Sequence, residues 1–270
     1  MRIDNSVFVV TGAGSGIGRA LALSFADAGA RVVAGDIDES AADTTAATIR
    51  DSGGHAVPIR ADATTPAGID AMISLAQETF GPVDGYVANA GVIGPPGLGT
   101  DTGWDRVLDV NLRAHVRAAD ALVPQWISRG TGYFVSVASA AGLLTQLGAA
   151  AYAVSKHAAV GFAEWLAITY GDRGIGVSCV CPMGVRTPLL GAVRDSTDTT
   201  AQLAARSITS AGAVLDAAEV ADLTVAAVRE GRFLVLPHPE VLDMYRQKGA
   251  DYDRWIAGMR RYQRSLAAER

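Results

Sequence analysis

Short apolar runs alternate with longer stretches of helical period along most of the chain, and this alternation is the strongest constraint on its fold. Segments 6–11, 31–36, 55–62, 83–89, 132–139, 176–181 and 232–236 read as strands. Segments 16–28, 40–52, 66–80, 101–129, 149–172 and 216–229 read as helices, with Gly29 and Gly53 as stops and Pro66 as a start. Strands separated by a helix run parallel, with right-handed crossovers. The expected class is therefore α/β, with a doubly wound parallel sheet covered by helices on both faces.

Two segments break the rhythm. Residues 187–213, rich in Thr, Ser, Ala and Gly, follow the sixth strand. Ligands of open α/β sheets bind beyond the carboxyl ends of strands, so this excursion is either a substrate lid or a plain surface loop. After Pro237 comes a tail in which Val241, Tyr245, Tyr252, Trp255, Met259, Tyr262 and Leu266 form an apolar stripe at helical spacing, interrupted by Lys248. Such a helix must dock, whether over the substrate mouth, on a second subunit, or simply within its own core.

Bulk properties exclude several classes. With 49% apolar residues over 270 positions the chain can bury a sizeable core. A net charge of −5 with dispersed Lys and Arg argues against nucleic acid or an anionic membrane as partner. No apolar run reaches the roughly 18 residues of a membrane span. Met1-Arg2-Ile3-Asp4-Asn5 has no signal-peptide character, so a cytoplasmic location is expected. Cys179 and Cys181 have no ligand partners nearby and read as buried thiols. His55, His115, His157 and His238 are scattered, and no metal is expected.

The chemistry starts at Thr11-Gly12-Ala13-Gly14-Ser15-Gly16-Ile17-Gly18, between the first strand and first helix. Glycines there let the backbone approach a pyrophosphate resting on a helix N-terminus. No Gly-Lys-Ser/Thr follows, so it is not a Walker loop. Asp36 ends the second strand, where a carboxylate accepts from ribose hydroxyls and repels a 2′-phosphate; Ile37 follows instead of a cation. That favours NAD over NADP. Tyr152 and Lys156, four apart, share one helix face, and Ser139 ends the fifth strand. An ammonium lowers a phenol's pKa toward a useful acid/base range, while a serine can hold a substrate oxygen.

These motifs, in this order, resemble the short-chain dehydrogenase/reductase family over residues 1–240. Asn89-Ala90-Gly91 matches the family's stretch after strand four, Asn111 its helix asparagine, and Cys181-Pro182-Met183-Gly184 an altered Pro-Gly turn. The resemblance implies a single Rossmann-type domain with seven parallel strands in the order 3-2-1-4-5-6-7, the 187–213 insertion as substrate loop, and 241–270 as a helical extension. It implies that Tyr152 is the acid/base and that Lys156 also binds the nicotinamide ribose. Asn111 would support a water chain. Gly12, Ser15, Gly16, Ile17, Gly18, Asp36, Ile37, Asp62, Ala63, Asn89, Ala90, Gly91, Pro182, Val185 and Thr187 would contact the cofactor. Dimers or tetramers are usual in the family.

The function expected is NAD-dependent interconversion of a secondary alcohol and its ketone. A pocket of Ile93, Gly142, Leu143, Leu144, Gln146, Met183 and lid residues would favour an apolar substrate, unless Arg186 or Arg194 holds a carboxylate. The alternatives are a non-catalytic NAD sensor or scaffold, or an epimerase or dehydratase on the same fold.

Overall fold

The computed structural model describes residues 1–268; the last two residues of the expected 241–270 extension lie outside it. Seven strands pair in parallel: β1 (Val7–Thr11), β2 (Arg31–Asp36), β3 (His55–Arg60), β4 (Gly85–Ala88), β5 (Gly132–Val137), β6 (Ile175–Val180) and β7 (Leu234–Val235). Their spatial order, β3-β2-β1-β4-β5-β6-β7, is the expected one. The order reverses between β1 and β4, and a crevice opens beyond their carboxyl ends. β1, β4 and β5 are buried throughout, which is why they read as unbroken apolar runs.

Helices α1 (Gly16–Asp27) and α2 (Glu39–Asp51) cover one face, where Phe25 stacks on Phe8 of β1 with centroids 4.2 Å apart. The other face carries α3 (Pro66–Thr79), α5 (Ala114–Arg129) and α6 (Ala150–Tyr170), with α4 (Asp101–Leu108) packed against α6. There Trp126 is fully buried, and its Nε1 donates to Val83 O at 2.9 Å. Truncating such an aromatic to Ala costs about 3–5 kcal/mol. The helix expected over 101–129 is interrupted: a π-helical turn, Asp109–Arg113, separates α4 from α5. The apolar period runs through the break, so spacing does not reveal it.

The 187–213 excursion is ordered. It contains α7 (Pro188–Arg194) and α8 (Thr199–Thr209), capped by Thr187 and Asp198. Its ends are stapled together, Leu215 N donating to Gly184 O at 3.0 Å and Arg186 N to Leu215 O at 2.9 Å. The chain then enters α9 (Ala217–Glu230), which packs against α1 and leads to β7. β7 is shorter than the apolar run 232–236, because Arg232 N turns back to Ala227 O.

The tail forms two helices, α10 (Glu240–Ala250) and α11 (Tyr252–Ala268), broken at Asp251, whose carboxylate accepts from Arg254 N at 2.9 Å. Val241 and Leu266 are buried at either end of the stripe, whereas Tyr245 and Tyr252 face outward. α11 lies on α8, where Tyr262 OH donates to Ser207 O at 3.2 Å. Lys248 is buried: its Nζ donates to Leu143 O at 2.7 Å and lies 3.3 Å from His157 Nε2.

Candidate active site

A cavity of about 1110 Å³ occupies the crevice beyond β1 and β4 and continues beneath the 187–213 excursion. One arm is framed by the glycine loop. Gly12 has φ +63, and a Cβ on Gly18 would fall 2.0 Å from Gly12 O. Strand end and helix start therefore approach each other more closely than any side chain would allow. Gly18 does not line the cavity; it permits the approach from behind, while Gly12, Ser15, Gly16 and Ile17 form the surface.

Ser15 stands at the N-cap of α1 but makes no capping hydrogen bond, and no acidic residue follows in the first turn. By contrast α2, α3 and α8 are capped by Asp38, Thr65 and Asp198. The first amides of α1 thus open on the cavity without a side-chain acceptor, a fit for a pyrophosphate. Asp36 Oδ2 accepts from Gly14 N at 2.8 Å and Oδ1 from Asp38 N at 3.0 Å. Two backbone bonds leave the carboxylate with lone pairs for ribose hydroxyls. Ile37, 68% exposed, offers an apolar surface beside it and no cation.

Asp62 and Ala63 line the same arm, Asp62 Oδ1 accepting from Thr64 N and Oγ1. Asn89 and Ala90 line it as well. Asn89 Nδ2 donates to Thr11 O at 2.8 Å, and both backbone amides donate to Thr11 Oγ1, so these residues hold the loop as well as facing the cavity. Gly91, Pro182, Val185 and Thr187 also lie on the cavity wall. A Cβ on Gly16 would sit 3.1 Å from Thr187 Cγ2, so the start of the 187–213 excursion reaches across to the glycine loop.

The second arm carries Ser139, Tyr152 and Lys156. Lys156 Nζ donates to Val137 O at 2.9 Å and lies 5.7 Å from the Tyr152 ring centroid. Burial lowers the Lys156 ammonium from 10.5 to about 8. Burial also raises the Tyr152 phenol above 10, with Ser139 beside it opposing the rise. Ser139 Oγ accepts from Ala141 N at 3.1 Å and donates to Pro182 O at 3.4 Å. The grouping can hold an oxygen and exchange one proton with it.

Asn111 is fully buried in the π-helical turn and does not line the cavity. Its amide bonds both Val92 N and Val92 O, and donates to Ser155 Oγ at 3.0 Å. It therefore ties the segment after β4 to the Tyr–Lys helix.

The expected substrate wall needs correction. Ile93, Leu144, Gln146 and Met183 line the cavity, but Gly142 and Leu143 do not. Leu143 belongs to the core, and Gly142 is pressed against α6, where a Cβ would meet Lys156 O at 2.5 Å. Gln146 spends its amide on α8, donating to Ser207 Oγ at 2.9 Å. Arg186 and Arg194 lie outside the cavity and pair with Asp216 and Asp195 at 2.7 and 2.9 Å. The tail supplies wall residues instead: Met244, Gln247, Trp255, Met259 and Tyr262.

Two histidines have positioning roles that spacing did not signal. His238, 1% exposed, accepts from Met183 N at 3.1 Å through Nδ1 and donates from Nε2 to Ala213 O at 3.0 Å. It clamps the turn after β6 to the end of the 187–213 excursion. His115 Nδ1 bonds Ser136 Oγ at 3.1 Å, and burial together with the Lys156 charge pushes it down to about 3, so it stays neutral.

Among known proteins, the short chain dehydrogenase family pattern matches residues 6–198. A cyclohexanol dehydrogenase from Acinetobacter sp. is 35% identical over 192 residues, 70% of this chain and 76% of that protein. A 1-deoxy-11-beta-hydroxypentalenate dehydrogenase from Streptomyces avermitilis is 34% identical over 254 residues, 89% of this chain and 87% of that protein. A short chain dehydrogenase/reductase from Burkholderia phymatum, solved in complex with NAD, superposes with a TM-score of 0.85 at 32% identity, covering 94% of this chain and 96% of that one.

Proposed function

The chain belongs to the short chain dehydrogenase family, and from that membership we propose that it interconverts an apolar secondary alcohol and its ketone with NAD as cofactor. The observation that carries this is one continuous cavity with an uncapped helix N-terminus and glycine loop in one arm and Ser139, Tyr152 and Lys156 in the other. Gly12, Ser15, Gly16, Ile17, Asp36, Ile37, Asp62, Ala63, Asn89, Ala90, Gly91, Pro182, Val185 and Thr187 hold the cofactor, with Gly18 shaping the loop from behind. Asp36 accepts from the ribose hydroxyls, and the lack of a cation beside it rejects a 2′-phosphate. Once bound, the nicotinamide supplies the hydride acceptor for oxidation and the donor for reduction.

The protein's own groups handle oxygen and proton. Ser139 Oγ orients the substrate oxygen. Tyr152 Oη takes the hydroxyl proton as the carbinol C–H bond breaks, and returns it to the carbonyl oxygen in reverse. Lys156, still largely protonated at neutral pH, stabilises the phenolate and binds the ribose. Asn111, fixed by Val92 and Ser155, supports the path by which Lys156 exchanges protons with solvent. Residues 1–240 form the catalytic domain, 187–213 its lid, and 241–268 an extension closing the substrate arm. The apolar wall and the removal of Arg186 and Arg194 from it favour an uncharged substrate.

Turnover of secondary alcohols followed at the NADH absorbance tests the proposal. Tyr152→Phe is expected to lower kcat at least about 10²–10⁴-fold with NAD binding within a few-fold of wild type. Retained turnover would remove Tyr152 as the acid/base.

A further inference from the structure

The family pattern ends at residue 198, before α8, whereas the cavity does not. Its remaining wall comes from α8, α10 and α11. The tail helices are held in place from several directions. Lys248 binds the Leu143 carbonyl next to the Ser139 turn, Tyr262 binds α8, and Val241 and Leu266 are buried. This wall is therefore a fixed part of the chamber.

Its chemistry is specific. Met244 and Met259, with Met183 across from the tail, are soft side chains that adapt to irregular apolar shapes. Trp255 adds a broad rigid face and an indole N–H, and Gln247 adds a carboxamide. Among the described residues neither the Nε1 of the half-buried Trp255 nor the amide of the exposed Gln247 has a protein hydrogen-bond partner. No charged side chain of α10 or α11 lines the cavity; the cationic Arg106 belongs to α4.

Resting on the dehydrogenase reading above, we infer that α10 and α11 are the selectivity wall. Met244, Trp255 and Met259 enclose the distal part of a bulky carbocyclic alcohol. Trp255 Nε1 and Gln247 hydrogen-bond a second, neutral oxygen on it. The favoured substrates are then multi-ring hydroxyketones or diols rather than single-ring alcohols or hydroxy acids.

The test compares cyclohexanol, a bicyclic decalinol, a decalin hydroxyketone and a decalin hydroxy acid as substrates of the full chain. Wild type is expected to show the highest kcat/KM for the hydroxyketone. Trp255→Ala should lower the ratio of kcat/KM for decalinol over cyclohexanol by about tenfold or more. Trp255→Phe and Gln247→Leu should each erode the hydroxyketone-over-decalinol preference by about tenfold, through KM. Met259→Trp should exclude the bicyclic alcohols in favour of cyclohexanol. Quenching of tryptophan fluorescence by the hydroxyketone, lost in Trp255→Phe, reports binding apart from turnover, and unchanged thermal unfolding shows that each variant folds. A ratio within twofold of wild type in a folded Trp255→Ala protein overturns the assignment, as does a preference for the hydroxy acid, which would point to Arg106. Wild-type inactivity toward every alcohol overturns the dehydrogenase reading itself.

Discussion

Replacing Lys156 by methionine should destroy activity and yet stabilise the cofactor-free protein at neutral pH. The Lys156 ammonium is almost fully buried, 4% exposed, with one carbonyl, Val137 O, as acceptor. Lowering its pKa from 10.5 to about 8 means that holding the charge in the fold at pH 7 costs about 3 kcal/mol. Methionine removes that cost and fills similar volume, but leaves Val137 O without a donor, which takes back about 1–2 kcal/mol. The net gain is about 1–2 kcal/mol, or a melting temperature higher by about 2–8 °C. Between pH 8 and 10.5 the unfolded wild-type chain keeps the proton that the folded one has lost, so wild-type stability rises with pH across that window. Lys156→Met lacks this term. Thermal unfolding without cofactor should therefore show the variant's advantage at pH 7 shrinking above pH 8 and reversing between about pH 8.5 and 10. A variant less stable than wild type at pH 7, or a gap that does not change with pH, would refute the assignment of a strained buried charge.

Three further outcomes test other parts of the structure. Asp36→Ala combined with Ile37→Arg should weaken NAD binding and bring NADP within reach, by fluorescence titration; unchanged selectivity would mean that Asp36 serves only Gly14 and Asp38. Gly18→Ala forces a methyl to 2.0 Å from Gly12 O, and should raise the Kd for NAD at least tenfold, about 1.4 kcal/mol, by calorimetry. His238→Leu leaves the partly buried Met183 N without its acceptor, costing about 1–3 kcal/mol in denaturant unfolding, and should raise KM more than it lowers kcat.

Much of this was legible in the residues, for physical reasons. Fully buried strands must be apolar on both faces, so β1, β4 and β5 announce themselves, and the glycine loop has to sit where β1 meets α1. The apolar pattern extends to Asp62, Asn89 and Ser139, but the strands end at Arg60, Ala88 and Val137, because each of these polar residues is apolar-flanked yet leaves the ladder to use its side chain. What stayed hidden depends on partners distant in sequence. His238 answers to Met183 and Ala213, Gln146 to Ser207, and Lys248 to Leu143 and His157. Lys248 read as an interruption of the tail's apolar stripe; it is the point where that stripe is fastened to the catalytic side. The dual use of Leu143, whose side chain joins the core while its carbonyl accepts from Lys248, leaves no mark on spacing either.

The staple between Gly184 and Leu215 has an evolutionary consequence. Because the excursion leaves and returns at one short bridge, β6 and α9 are insensitive to how many residues lie between. Doubling the length of such an excursion costs only about 0.6 kcal/mol in closure entropy. α7 and α8 can therefore be lengthened, shortened or exchanged as a cassette while the sheet, the glycine loop and the Tyr–Lys helix keep their geometry. Changes in the cassette's length would then reshape the wall over the cavity without passing strain into the strands and helices that carry Ser139, Tyr152 and Lys156.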